Sequence, residues 1–170
     1  DHVRTLSLLA PQVAISVENA RLYEELAERK DRMEKDLRAA RELQHVLLPR
    51  EAPEIAGLEV AIGVRPAREI SGDLYDFFKQ GRDHTLIALG DVSGKGAAAA
   101  LYGALVSGLL RTLAPLRSEP SHLMKKLNEA LLERKADARY VTLLVLLWQP
   151  RTRKLRMANA GSMPPVICRA

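Results

Sequence analysis

Two aspartates sit in short glycine-bearing segments: Asp73 in Ser71-Gly72-Asp73, and Asp91 in Gly90-Asp91-Val92-Ser93-Gly94-Lys95-Gly96. Hard divalent cations bind carboxylate oxygens held on rigid turns. Two carboxylates brought together on adjacent strands would repel unless a cation lay between them. On residue type alone, an aspartate beside a glycine is more often a turn former than a metal ligand. Asp76, three residues beyond Asp73, reads as a support for its turn. Gly94 to Gly96 opens onto an alanine-rich helix, whose N-terminus favours a nearby anion. Lys95 there could meet a phosphate or point to water. A nucleotide-binding loop does not fit, because G-x-x-x-x-G-K-[ST] would need glycine at Leu89 and Ser or Thr at Gly96.

These residues need elements to position them. Residues 5 to about 48 read as one long helix, interrupted only by Pro11 near its start, where a first turn tolerates proline. Leu26, Lys30, Met33, Leu37, Ala40, Gln44 and Leu47 alternate at spacings of four and three, a heptad seam with two polar positions. Glu25–Arg29, Glu28–Arg32, Asp31–Lys35 and Glu34–Arg38 are i,i+4 pairs with the acid first. The pattern predicts a parallel dimeric coiled coil; the competing form is a single amphipathic helix lying on its own domain. Pro49, Pro53 and Gly57 end the helix.

Leu58, Val60, Ile62 and Val64 then alternate as a strand would. Residues 69–76 read as a loop, Phe77-Phe78 as the start of a second strand, and Thr85 to Leu89 as a buried one. Gly90 to Gly96 is expected to be a loop and Ala97 to Leu113 a helix. Ser121 is expected to cap a helix running to about Lys135. Tyr140 to Trp148 should be a central strand, Lys154 to Ala158 its hairpin partner, and Pro165 to Cys168 a last strand. This order predicts an α+β layered domain rather than repeated βαβ units.

Composition narrows the partners. The chain has 170 residues, 47% hydrophobic, which allows a packed core. Aromatics are only 4%, too few for stacking on single-stranded nucleic acid. The net charge of +5 is not gathered in one block, and no helix-turn-helix pattern accompanies it, so no nucleic-acid partner is expected. No apolar run has the length and continuity of a membrane span, so no membrane association is expected. The single cysteine, Cys168, excludes an intrachain disulfide, points to a reducing cytoplasmic setting, and reads as a small core residue. Both ends look like cuts through larger units.

Gly90-Asp91-Val92-Ser93-Gly94-Lys95-Gly96 with its alanine-rich helix resembles the signature of SpoIIE/RsbU-type PPM metal-dependent protein phosphatases. Gly72-Asp73-Leu74-Tyr75-Asp76 resembles their G-D-x-Y-D motif, Glu42 to Pro49 the helix ending that enters the domain, and Asn159-Ala160-Gly161 their N-A-G-H loop. All four follow the family order over about residues 42–170. The resemblance implies a PPM-type layered β-sandwich with flanking helices, preceded by a long helical coiled-coil linker. It implies that Asp73, Asp91 and the Val92 carbonyl bind two Mn²⁺ or Mg²⁺ ions, and that a metal-activated water attacks phosphoserine or phosphothreonine in line, with Gly94 and Lys95 beside the substrate. Its substrates would be phosphorylated regulatory proteins of the STAS, anti-anti-sigma kind. Two departures stand out. Ser162 occupies the usual histidine position, and the two further metal-binding aspartates that the family places downstream are absent from this sequence.

Leu8 to Tyr23, with its Glu18-Asn19-Ala20-Arg21-Leu22-Tyr23 string, resembles the exit helix of a GAF sensor domain. The expected division is therefore 1–22 GAF helix, 23–50 coiled-coil linker and homodimer contact, and 51–170 the N-terminal part of a phosphatase domain. Two rivals are a histidine kinase, with His45 as phosphoacceptor, and a non-catalytic signalling scaffold. Val46 stands after His45 where such kinases usually carry an acid, and no ATP-lid glycine boxes follow.

Overall fold

Side-chain alternation and hydrogen-bond pairing together make four strands here. The computed structural model describes residues 2–64, 70–81, 83–116, 119–133 and 139–168. Its elements are helix α1 (His2–Leu47), strands β1 (Asp73–Gln80) and β2 (His84–Val92), helix α2 (Ala97–Leu113), a 3-10 turn (Ala114–Leu116), helix α3 (Pro120–Glu133), and strands β3 (Val141–Gln149) and β4 (Lys154–Ala160). The strands form one antiparallel sheet in the order β1-β2-β3-β4. The chain forms two compact units, Asp1–Ala39 and Ala40–Ala170.

In the second unit, one face of the sheet carries the core. Leu74 and Phe78 of β1, Leu86, Ala88 and Val92 of β2, and Leu143, Val145 and Leu147 of β3 pack with Ala99, Tyr102, Val106 and Leu110 of α2 and Leu123 and Leu127 of α3. Each fully buried Leu or Val contributes about 1.5–3 kcal/mol. Residues 97–116 are long and apolar enough to cross a membrane, but the buried side of this segment is a core stripe: Ala99, Tyr102, Gly103, Val106, Ser107 and Leu110. The opposite sheet face carries Asp73, Tyr75 and Phe77, with Leu89 and Ile87 beside them. A cavity of about 880 Å³ lies over it, lined also by residues 60–64 and 161–163.

Several expectations are corrected. Leu58 to Val64 forms no strand; an isolated bridge joins Ile55 to Leu58, and residues 59–64 have no strand partner among the described residues. Residues 60–64 all line the cavity, so their alternation does not mark one buried face, and a strand also needs a hydrogen-bonding partner. Pro165 to Cys168 is likewise irregular, and Cys168 is exposed rather than in the core. Strand β1 begins at Asp73, inside the expected loop, and β2 continues through Asp91 and Val92. The helix α3 starts at Pro120, with Leu123 N–H donating to the Glu119 carbonyl, so Ser121 lies inside it rather than capping it. Pro11 sits within α1, beyond its first turn.

The first unit is helical. Leu26 and Met33 of the seam are 65% and 64% exposed, so the stripe faces solvent on this unit. Of the four expected ion pairs, Glu25–Arg29 (3.8 Å) and Asp31–Lys35 (2.7 Å) form; two pairs outside that set, Arg21–Glu25 (3.4 Å) and Lys30–Glu34 (3.6 Å), form with the base first. Exposed pairs of this kind contribute only tenths of a kcal/mol, about 0.3–0.5 each.

Candidate metal centre

Antiparallel pairing of β1 with β2 sets Asp73 directly opposite Asp91. Residues opposite one another project to the same face of a sheet. Both line the cavity, together with Thr142, Gly161, Ser162 and Met163. The two motifs also meet through backbone: Val92 N–H donates to the Gly72 carbonyl at 3.2 Å. A methyl group at Gly72 would lie 2.8 Å from the Val92 carbonyl oxygen and 3.3 Å from Asp91 Oδ1. Only a glycine at this position leaves the space before those two oxygens open.

Ser71 orders Asp73. Its hydroxyl donates to Asp73 Oδ2 at 2.7 Å and accepts from Asp73 N–H at 3.1 Å. Gln44, near the end of α1, donates to the Ser71 carbonyl at 2.5 Å and accepts from Ser71 N–H at 3.3 Å. Asp91 is held from β3, where Thr142 Oγ1 donates to its carbonyl at 3.4 Å. Asn159 accepts from Ser162 N–H at 2.9 Å and donates to the Ser162 carbonyl at 3.0 Å, which closes the Asn159–Ser162 turn at the cavity.

Asp76 faces the other way. It is 5% exposed on the helix-covered face, accepts from Phe77 N–H at 2.9 Å, and pairs with Arg111 Nη2 at 2.9 Å. Burial raises its pKa above the ordinary carboxylate value, opposed by the Phe77 N–H and the Arg111 charge. Its partners are Arg111 and the Phe77 N–H, so it does not support the turn at Asp73 that was expected of it. Arg111 also donates to the Leu47 carbonyl at 3.1 Å, and Tyr75 Oη to the Pro49 carbonyl at 2.9 Å. The first of these caps the end of α1.

Ser93 continues from β2 and pairs with Tyr140: its N–H donates to the Tyr140 carbonyl at 2.8 Å and its hydroxyl accepts from Tyr140 N–H at 3.0 Å. Gly96, with φ 74°, then takes the chain into α2, its carbonyl accepting from Ala99 and Ala100 N–H. Gly94 and Lys95 are exposed on this loop and do not line the cavity. The Arg139 guanidinium lies against Gly94, where a Cβ would be 3.2 Å from Nη1. His45 is an exposed helix residue, its Nε2 accepting from Arg41 Nε at 3.4 Å.

Two carboxylates and one carbonyl are hard oxygen donors suited to Mn²⁺ or Mg²⁺. Among the described residues no group of three or more His, Cys, Asp or Glu side chains converges, so the remaining donors would be water or other residues.

The family of Stage II sporulation protein E (SpoIIE) matches residues 81–170, more than half of the chain. The chain belongs to the SpoIIE family. It is 37% identical over 79 residues to protein IcfG of Synechocystis sp., covering 46% of this chain and 12% of that protein. It is 27% identical over 129 residues to the phosphoserine phosphatase RsbU of Bacillus subtilis, covering 76% of this chain and 38% of RsbU. The SiaA PP2C domain of Pseudomonas aeruginosa superposes with a TM-score of 0.66 at 22% identity, over 77% of this chain and 55% of that one. The fold is thus α+β and PP2C-like, preceded by a long helix. Family and fold are those of SpoIIE/RsbU-type PPM phosphatases, and the chain spans roughly half or less of the relatives it matches.

Proposed function

We propose that this chain carries part of the catalytic centre of a metal-dependent phosphatase acting on phosphoserine or phosphothreonine in a regulatory protein of the STAS, anti-anti-sigma kind. The observation that carries the reading is the register pairing Asp73 with Asp91, beside a Val92 carbonyl kept open by Gly72. In this reading Asp73, Asp91 and the Val92 carbonyl hold part of a two-ion Mn²⁺ or Mg²⁺ centre. When bound, such a pair of ions supplies a nucleophile from water and neutralises phosphoryl charge. Ser71 holds the Asp73 carboxylate in place, and Thr142 fixes the backbone at Asp91. Lys95 and Arg139, on and against the exposed Gly94–Gly96 loop, offer positive charge to the phosphorylated substrate. No side-chain nucleophile is required.

Residues 1–22 would be the exit helix of a GAF sensor, and the seam of exposed Leu26 and Met33 with half-buried Leu37 would bring two chains together. A second reading, a signalling scaffold without turnover, is favoured by one observation: only two carboxylates converge among the described residues. Mn²⁺ titration calorimetry separates the two. Wild type should bind, and Asp73→Asn and Asp91→Asn should each lose binding while melting normally; either variant binding as wild type does removes that residue from the site.

A further inference from the structure

We propose that Gln44 is a positioning residue of the metal centre, acting on Asp73 through Ser71. The inference rests on the metal reading above and adds a residue from a different element, the last turns of α1. In sequence Gln44 is a polar position in a heptad seam, which accounts for its type only as a loss of stability. The structure gives it another partner. Its primary amide offers one donor and one acceptor to the Ser71 backbone, and both are used, at 2.5 and 3.3 Å. The Ser71 hydroxyl in turn touches Asp73 twice, at 2.7 Å to Oδ2 and 3.1 Å from N–H. Gln44, Ser71 and Asp73 therefore form a continuous hydrogen-bonded relay from helix to ligand.

The end of the helix that presents Gln44 is itself tied down. Arg111 donates to the Leu47 carbonyl and Tyr75 to the Pro49 carbonyl, and these anchoring side chains come from α2 and β1. Gln44 thus works from a fixed base, and Ser71 is held against it. Hydrogen bonds that orient a ligating carboxylate govern metal affinity; losing one lowers affinity by about 10–100-fold.

The chemistry predicts an ordering of variants. Gln44→Leu keeps the bulk and loses both bonds. Gln44→Glu retains the acceptor for Ser71 N–H but sets a carboxylate oxygen against the Ser71 carbonyl. Ser71→Ala removes the hydroxyl, while Ser71→Thr retains it. The experiment is Mn²⁺ titration calorimetry on the protein at its natural length, with hydrogen exchange of the Ser71 amide in metal-free protein as a second readout. Gln44→Leu and Ser71→Ala are expected to weaken Mn²⁺ binding by about 10–100-fold, Gln44→Glu by less, and Ser71→Thr little. The double variant should bind about as Ser71→Ala does, because both act through one relay. Ser71 amide exchange should accelerate in Gln44→Leu without metal.

Wild-type affinity in Gln44→Leu, or fully additive losses in the double variant, would overturn the relay while leaving the metal site standing. No Mn²⁺ binding by wild type would overturn the metal reading and the relay with it. Where Gln44→Leu does not fold, Ser71→Ala against Ser71→Thr tests the relay from its other end, and equal affinities for the two would overturn it.

Discussion

Gly72→Ala is the substitution whose effect the geometry determines most sharply. The added methyl would meet the Val92 carbonyl at 2.8 Å, against the 3.4 Å at which ordinary contacts begin. About 0.6 Å of movement is therefore needed, and the obstructing atom is backbone at the end of β2 rather than a flexible side chain. Forcing an extra carbon into packed surroundings costs about 1–3 kcal/mol. The same movement strains the hydrogen bond from Val92 N–H to the Gly72 carbonyl, worth about 0.5–1.5 kcal/mol. The expected destabilisation is thus about 1.5–4.5 kcal/mol, with Mn²⁺ affinity lowered as Asp73 and Asp91 are pushed apart. Gly108→Ala is the control. Nothing lies within 4 Å of its added carbon, and it sits exposed in α2, so it should gain about 0.5–1 kcal/mol. Urea unfolding followed by circular dichroism measures both. A Gly72→Ala protein with an unchanged midpoint and unchanged Mn²⁺ affinity would refute the argument from close approach.

Other expectations are as direct. Asp76 has a folded pKa raised above its ordinary 3.8, mainly by burial, so the stability linked to its protonation is present below that value and lost as pH rises through the folded value. The stability of wild type relative to Asp76→Asn should therefore fall between strongly acidic and neutral pH, as read by denaturant unfolding; a difference that rises with pH contradicts this. Leu37→Asp places a charge in the α1 seam and should shift sedimentation towards monomer, whereas an unchanged monomer–dimer balance counts against the coiled coil.

Much of the framework could be read from residue patterns. The bounds of α2 follow the alanine- and leucine-rich run, and the reach of α1 follows the absence of any breaker before Pro49 other than Pro11. The pairing of Asp73 with Asp91 was implied only by the family resemblance, since residue type alone makes each a turn former in an expected loop. The strand containing Asp73 was harder to see. Asp76 and Gln80 occupy inward positions of β1 beside Leu74 and Phe78, and two polar residues on the core side hide the alternation. Gln80 is accommodated because its amide donates to the Ala114 carbonyl at 2.5 Å. Leu58 to Val64 shows the opposite failure, a regular alternation with no partner strand among the described residues. Gln44 read as a polar seam position within the helix ending, and its pairing with Ser71 was hidden because that partner lies 27 residues away.

Hydrolysis of p-nitrophenyl phosphate with and without Mn²⁺ tests the central claim most directly, on this chain and on one continued through its downstream sequence. The account predicts turnover that requires Mn²⁺ once the remaining ligands are supplied, and its loss in Asp73→Asn and Asp91→Asn. Absence of metal-dependent turnover in the continued chain, with no Mn²⁺ bound, would contradict it and favour the scaffold.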